Sequence, residues 1–135
     1  MAVPSANRLR VVIVDDDPDA VTTLMTLLLH EGHMPFALFR AKNVVRTVQD
    51  TDPDVVLLDI GLPDGSGYAI AEEIRRACGP ARPMVIAITG TYREPLHDRL
   101  SRLAGCDHFL TKPFGFDQLL RLFAPLALPH AARPG

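Results

Sequence analysis

Short apolar runs alternate with amphipathic segments along most of the chain, and this alternation restricts the fold more than any other feature. Five short apolar runs predict buried strands; they are Val11–Val14, Met34–Phe39, Val55–Leu58, Met84–Ile88 and His108–Leu110. After each run, apolar residues recur at the spacing of a helix face, which predicts five helices. Strict alternation of strands and helices is typical of a parallel sheet with helices on both faces.

The order of the strands follows from which of them suit an edge and from the residues at their ends. Pro35 cannot donate to a neighbouring strand, so we expect the second strand at one edge and the short fifth strand at the other. Asp15 follows the first strand, Asp59 the third, Thr89 the fourth and Lys112 the fifth. The order 2-1-3-4-5 meets these conditions and gathers the polar groups at the carboxyl edge of the sheet, where open α/β sheets bind ligands.

Three aspartates, Asp15, Asp16 and Asp59, would crowd like charges into this cleft, which destabilises a folded protein. The single lysine Lys112 does not neutralise them, whereas a hard divalent cation such as Mg²⁺ would, because it prefers carboxylate oxygens. Asp17 is assigned instead to the N-cap of the first helix. Taken alone, each of these residues is explained at least as well as part of a solvated loop; their joint placement favours a metal site.

The composition describes one globular domain of 135 residues, with 47% hydrophobic and 22% charged residues. Because the net charge is −2 and no basic run is present, we expect no direct binding to nucleic acid.

No apolar run is long enough to span a membrane, and the first ten residues lack the apolar core of a secretory signal. Cys78 and Cys106 lack metal-ligand spacing, and we expect both to be reduced in a cytoplasmic protein. Near the end of the first helix, His30 and His33 are expected to have a capping role.

With these residues in place, the sequence resembles the receiver domains of two-component response regulators. Four motifs carry the resemblance, in order and at domain-like spacing: Val11–Pro18, Val55–Gly67, Ala87–Gly90 and Phe109–Phe114. The resemblance implies a flavodoxin-like (βα)5 fold, a doubly wound parallel five-stranded sheet. It covers about residues 8–125, and leaves 1–7 and 126–135 as short flexible tails.

The family implies a phosphoacceptor that works with Mg²⁺. Asp59 would take a phosphoryl group from a sensor histidine kinase or a histidine phosphotransfer protein. Asp15, Asp16 and Asp59 would hold the metal, together with the backbone carbonyl of Gly61. The protein would then catalyse only its own phosphorylation and slow dephosphorylation, rather than act as an enzyme on other substrates.

The resemblance also implies how the phosphorylated state is recognised within the domain. Lys112 would pair a phosphoryl oxygen, and the Thr89 hydroxyl would donate to the phosphoryl group after transfer. This movement would be coupled to an aromatic residue on the fifth strand, here Phe109, where the family frequently has tyrosine. Residues expected to support the loops are Pro63, Gly67 and Pro113, and the family usually has a cis peptide bond between Lys112 and Pro113.

The output surface implied by the family is formed by the fourth helix, the fifth strand and the fifth helix. The apolar face of the fourth helix is predicted from Leu96, Leu100 and Leu103. We expect no DNA-binding module after residue 124, and therefore signalling through a protein target or through onward phosphotransfer. A stand-alone regulator and a piece of a hybrid kinase both remain open, as do a monomer and a weak homodimer.

Two other functions are considered. A phosphohydrolase of the haloacid dehalogenase type uses an aspartate after the first strand and a second acid two residues later, as Asp15 and Asp17 are spaced. Two residues after the second acid, that family has threonine or valine, whereas this chain has Asp19. A receiver-like interaction module that no longer accepts phosphate is the other alternative, and the intact set of polar residues argues against it.

Overall fold

The computed structural model describes residues 8–90 and 104–127, and its main feature is a five-stranded parallel sheet. The strands are β1 (Arg10–Val14), β2 (Met34–Leu38), β3 (Val55–Asp59), β4 (Met84–Thr89) and β5 (His108–Thr111). Their order is β2-β1-β3-β4-β5, and every neighbouring pair is parallel. This confirms the doubly wound architecture and the strand order predicted from the sequence.

Four α-helices lie in the described part of the chain. They are α1 (Pro18–His30), α2 (Val44–Thr51), α3 (Gly67–Cys78) and α4 (Phe116–Phe123), and a 3-10 turn, Ala124–Ala127, follows the last of them. The predicted fourth helix, with Leu96, Leu100 and Leu103, lies outside the described residues. None of these four helices is long and apolar enough to cross a bilayer.

The sheet separates two apolar clusters, because successive side chains of a strand point to opposite faces. On one face, Val12, Val56 and Val85 pack in a cluster with residues of α2 and α3. On the other, Ile13 and Leu57 pack in a cluster with residues of α1 and α4. The central strands are therefore buried on both sides, which explains why they read as continuous apolar runs. Full burial of each such side chain contributes roughly 1.5–3 kcal/mol to stability.

Strand β2 lies at a sheet edge, as Pro35 predicted. Met34 donates its backbone N–H to the Leu9 carbonyl across a distance of 2.8 Å, which aligns β2 with β1. Since neighbouring residues of a strand turn their backbone groups to opposite sides, Pro35 directs its nitrogen away from β1. The missing donor therefore faces the open edge, where it costs no hydrogen bond within the sheet.

Helix α1 begins at the residue that the sequence indicated. Asp17 is its N-cap, and the carboxylate accepts a hydrogen bond from the Asp19 amide at 3.1 Å. Pro18 occupies the first helical position, where its lack of an N–H is harmless. After the helix, Gly32 adopts a φ of 88°, a left-handed conformation that favours glycine.

The His33 side chain has a role in addition to the predicted helix cap. Its Nδ1 accepts a hydrogen bond from the Leu9 amide at 3.1 Å, and its ring meets Phe123 edge-on with centroids 5.6 Å apart. The residue is 9% exposed. The side chain therefore joins the residue before β1 to α4 in the interior. The backbone amide of His33 also donates to the Leu28 carbonyl at 2.9 Å and so caps the end of α1, as predicted.

A guanidinium group fixes the opposite, amino edge of the sheet. Arg75 of α3 donates to the carbonyls of Gly105 and Pro83, each at 2.8 Å. It also pairs with the Asp107 carboxylate at 2.6 Å, and that carboxylate accepts from the Val85 amide as well. Arg75 thus connects α3 to the segments that lead into β4 and β5.

The connection from β3 to α3 forms a short hairpin rather than the plain loop expected. Gly61 pairs with Ser66, and Leu62 pairs with Gly65. At its end, Gly67 lies so close to β3 that a Cβ atom would be 2.7 Å from the Asp59 carbonyl oxygen and 2.7 Å from Ile60 Cα. Only glycine allows this approach, because both neighbouring atoms belong to the backbone.

We predict that the folded protein loses stability below about pH 6.5 through His33. Burial lowers the pKa of His33, and the carboxylates of Glu31 and Asp54 oppose this only in part. The unfolded chain therefore binds a proton at a higher pH than the folded one, so the stability present above the usual histidine pKa is lost as the pH falls through it. Urea unfolding at pH 7.5 and 5.5 measures the effect. The loss should be smaller in His33→Gln and unchanged in His30→Gln, which alters an exposed residue; equal losses in both variants would contradict the prediction.

Gly67→Ala is expected to destabilise the fold by about 1–3 kcal/mol, because the added methyl group must displace backbone. Gly61→Ala is the matched control, since its Cβ would meet its nearest neighbour, Asp59 Oδ1, at an ordinary 3.9 Å. Urea unfolding midpoints of the two variants measure the difference. A Gly67→Ala protein as stable as the Gly61→Ala protein would show that the close approach is not required.

Candidate functional site

Three carboxylates meet at the carboxyl edge of the sheet, as the strand order predicted. Asp15 follows β1 directly, Asp59 is the last residue of β3, and Asp16 lies beside Asp15. One carboxylate oxygen of each lies within 4.8 Å of those of the other two. Asp15 is buried, Asp59 is half-buried and Asp16 is exposed, so the cluster is open to solvent on one side.

Lys112 reaches this cluster from the far side of β4. Its Nζ lies 2.8 Å from Asp15 Oδ2 and 3.7 Å from Asp59 Oδ2. The Lys112 amide donates to the Thr89 carbonyl, and the peptide bond to Pro113 is cis. The lysine stem therefore spans the width of β4.

The positions of Asp15 and Lys112 are fixed by hydrogen bonds between them and to the backbone. Asp15 Oδ1 accepts from the Asp17 amide at 3.0 Å, while Oδ2 accepts from Lys112. Burial acts to lower the pKa of Lys112, but the hydrogen bond and the charges of Asp15 and Asp59 outweigh burial and raise it. Lys112 is therefore positively charged at neutral pH and offsets part of the negative charge.

The Asp59 carboxylate is more basic than an ordinary aspartate. Burial raises the pKa of the Asp59 carboxyl, and the charges of Asp15 and Asp16 act in the same direction. The Gly61 amide, 2.9 Å from Asp59 Oδ1, and the charge of Lys112 lower it without cancelling the rise. A more basic carboxylate that remains accessible is a better nucleophile and a better metal ligand.

Thr89 brings an unpartnered hydroxyl to the same edge. It is the last residue of β4 and follows Ile88, the register partner of Asp59. The residue is 5% exposed, and among residues 8–90 and 104–127 its Oγ1 has no hydrogen-bond partner. Since a buried hydroxyl without a partner is costly, this group is suited to bind a ligand oxygen.

The donor set fits Mg²⁺, which takes oxygen ligands and usually keeps several waters. Two carboxylates at least can reach a common ion, and the exposed side near Asp16 leaves room for water. The Gly61 amide faces Asp59, while the role of the Gly61 carbonyl as a ligand stays a prediction. The buried Thr89 hydroxyl provides a second, independent group for an oxygen-rich ligand beside the metal.

Three predicted loop residues and Phe109 occupy different places around the site. Gly67 supports the Asp59 backbone by close packing, and Pro63 lies exposed in the turn of the hairpin. Pro113 lines a cleft beside the carboxylates. Phe109 is half-buried against the α2–α3 side of the sheet, and its switching role stays a prediction.

A cleft of about 550 Å³ opens beside Asp15 and Lys112, and the sequence analysis did not predict it. One wall is the α1 surface at Ala20, Leu24 and Leu27; the other is the segment from Pro113 to Phe116. The apolar residues Phe114 and Phe116, two and four residues after Lys112, were the available signal. Their distance in sequence from α1 hid the fact that the two segments face each other.

Asp64 is a second residue that the sequence analysis missed. Its carboxylate accepts hydrogen bonds from the amides of Ala41 and Lys42, at 2.7 and 3.2 Å. These bonds join the hairpin after β3 to the connection between β2 and α2. The residue lies in a turn-forming sequence, so its type alone gave no indication of a long-range contact.

The phosphohydrolase alternative needs Asp17 as a second acid near the reacting group. Asp17 instead accepts from the Asp19 amide as the N-cap of α1. Asp59, which that alternative does not use, lies within the carboxylate cluster. The geometry therefore disfavours the alternative.

Comparison with known proteins gives the family. Residues 11–124 match the family model of the response regulator receiver domain. The chain is 32% identical over 111 residues to the transcriptional regulatory protein TcrA of Mycobacterium tuberculosis, covering 82% of this chain and 42% of that protein. It is 33% identical over 111 residues to KdpE, a transcriptional regulatory protein of the same species, covering 82% of this chain and 47% of that protein. The chain thus spans less than half the length of these curated relatives.

A solved structure supports the fold. The chemotaxis protein CheY4 of Vibrio cholerae superposes with a TM-score of 0.80 at 18% identity, covering 88% of this chain and 98% of that chain. Receiver domains of two-component systems are phosphoacceptors that bind Mg²⁺ in an acidic pocket and interact with histidine kinases. From the match over residues 11–124 and the architecture of the sheet, we conclude that the chain belongs to the response regulator receiver domain family.

Proposed function

We propose that Asp59 is the phosphoacceptor and takes a phosphoryl group from a sensor histidine kinase or a histidine phosphotransfer protein. The observation that carries this proposal is the group of three carboxylates within 4.8 Å, contacted by Lys112. A carboxylate oxygen of Asp59 forms a bond to phosphorus while the bond from phosphorus to the donor imidazole nitrogen breaks. The electron pair returns to the imidazole, which takes up a proton, and Asp59 becomes an acyl phosphate.

Asp15, Asp16, Asp59 and the Gly61 carbonyl would hold Mg²⁺. Bound there, the ion would supply positive charge that offsets the charge of the transferring phosphoryl group. The protein residues orient the reacting carboxylate: the Gly61 amide binds Asp59 Oδ1 and leaves Oδ2 towards Lys112.

Lys112 and Thr89 recognise the phosphorylated state in this proposal. Lys112 Nζ, already 3.7 Å from Asp59 Oδ2, pairs a phosphoryl oxygen. The Thr89 hydroxyl donates to another and thereby gains a partner for a buried group. The movement of Lys112 and Thr89 would be transmitted to Phe109 and from there to an output surface. We propose that this surface is formed by the predicted helix that carries Leu96, Leu100 and Leu103, together with β5 and α4.

The signal would pass through protein contacts at that surface or by onward phosphotransfer, and the protein would catalyse only its own phosphorylation and slow dephosphorylation. The curated relatives are transcriptional regulatory proteins. For this chain we propose a cytoplasmic phosphoacceptor that is a monomer or a weak homodimer, without direct contact to nucleic acid.

Incubation with Mg²⁺ and acetyl phosphate, followed by intact mass measurement, tests the phosphoacceptor. We expect one added phosphoryl mass on the unmodified protein and none on Asp59→Asn, because an amide cannot form the acyl phosphate. Asp50→Asn, a change at an exposed residue of α2, is the control and should label normally. Labelling of Asp59→Asn would assign phosphorylation to another residue, and no labelling of the unmodified protein would favour the phosphate-independent module.

Asp16→Asn should weaken Mg²⁺ binding by about tenfold, since one of the three carboxylate donors loses its charge. Asp16 is exposed, so the change leaves the core and the Asp15–Lys112 pair intact. Isothermal titration with Mg²⁺ measures the affinity. Asp19→Asn removes the same charge from α1 outside the carboxylate cluster, and an equal loss in that control would mean that only the overall charge matters.

A further inference from the structure

We propose that Asp64 is a positioning residue for phosphorylation, which holds the backbone beside Asp59 in its reactive arrangement by binding the connection between β2 and α2. This inference rests on the proposed function of Asp59. It concerns a residue outside the carboxylate cluster whose side chain accepts hydrogen bonds from backbone amides of another loop.

The contact is a fork of two hydrogen bonds. Asp64 Oδ1 accepts from the Ala41 amide at 2.7 Å, and Oδ2 accepts from the Lys42 amide at 3.2 Å. Hydrogen bonds to an ionised acceptor are shorter and stronger than those between neutral groups. The Ala41 carbonyl accepts from the Val44 amide, so the loop that Asp64 binds is itself connected to the first turn of α2.

Close packing reinforces this contact. A Cβ atom at Gly65 would be 2.9 Å from the Ala41 Cβ, so the residue after Asp64 has no room for a side chain. Two consecutive residues of the hairpin, Asp64 and Gly65, therefore meet the same residue of the facing loop. Hydrogen bonds and close packing together therefore fix the distance between the two loops.

The hairpin transmits this position to the phosphoacceptor. Leu62 pairs with Gly65, and Gly61 pairs with Ser66, so the strand that carries Gly61 is aligned with the segment directly after Asp64. The Gly61 amide in turn donates to Asp59 Oδ1. Asp64 thus acts on Asp59 through one turn of the hairpin and one backbone amide.

The exposure of Asp64 argues for a positioning role over a role in core stability. The side chain is exposed, so its removal creates no cavity. The hydrogen bonds from the amides of Ala41 and Lys42 hold the pKa of the Asp64 carboxyl below its usual value, and the group stays ionised at neutral pH. Its effect should therefore appear in the geometry of the loop more than in the unfolding free energy.

The experiment compares initial rates of labelling by acetyl phosphate, at fixed Mg²⁺, in the unmodified protein and three variants. Asp64→Ala removes both acceptors and should slow labelling about tenfold. This is the smaller of the losses of activity that follow mutation of residues that hydrogen-bond the ligands of a metal site. Asp64→Asn keeps an acceptor oxygen but not the charge and should recover part of the rate. Asp50→Ala removes an exposed carboxylate from α2 and should label at the normal rate. Urea unfolding midpoints establish that the variants remain folded, and the amide shift of Gly61 in NMR spectra reports the loop position.

Each outcome decides the inference. A slow Asp64→Ala with a normal unfolding midpoint, a shifted Gly61 amide and partial recovery in Asp64→Asn supports it. Equal rates in Asp64→Ala and the unmodified protein overturn it, as do equally slow Asp64→Ala and Asp64→Asn proteins, which would assign the effect to charge alone. If the unmodified protein does not label at Asp59, the proposed function fails first and this inference fails with it.

Discussion

The confinement of three carboxylates within 4.8 Å is the constraint on which the site depends. Like charges at this distance destabilise the folded state, and only a cation or a change in pKa reduces the cost. Within residues 8–90 and 104–127, the cation that contacts the cluster is Lys112. It directly follows β5, a strand that is not adjacent to either acid-bearing strand. Its ammonium group contacts two of the three carboxylates. The remaining charge is what makes the site suited to a divalent ion and to a phosphoryl group bound with it.

Much of this arrangement was predictable because it follows from strand order. Pro35 indicated an edge strand. Asp15, Asp59 and Thr89 each lie at the carboxyl end of a central strand, so parallel pairing alone brings them together. Lys112 was predictable for the same reason, once β5 was assigned to the other edge. The limits of the strands can be predicted from local sequence patterns, and the positions of these four residues depend mainly on where the strands end.

The features that could not be predicted depend on contacts between segments far apart in sequence. His33 was interpreted from its place near a helix end, and its amide does cap α1, but nothing in the local sequence indicated that its ring would accept from the Leu9 amide and contact Phe123. Asp64 has the residue type of an ordinary turn, and its bonds to the distant Ala41 and Lys42 arise from the approach of the two loops. The cleft beside α1 is likewise formed by two surfaces that no local pattern relates. In each case the residue type was compatible with a common local role, and the tertiary structure gave it another.

The orientation of Pro35 also bears on how the folded chain meets other chains. An edge strand with a full row of free N–H and C=O groups is a template on which a strand from another molecule can add, and such addition leads to aggregation. In β2 the ring of Pro35 interrupts that row on its open side, because the adjacent Met34 turns its N–H inward to Leu9. An incoming strand would meet a carbon ring where it needs a donor. The residue that identifies the edge in the sequence is thus also the one that discourages uncontrolled strand addition there.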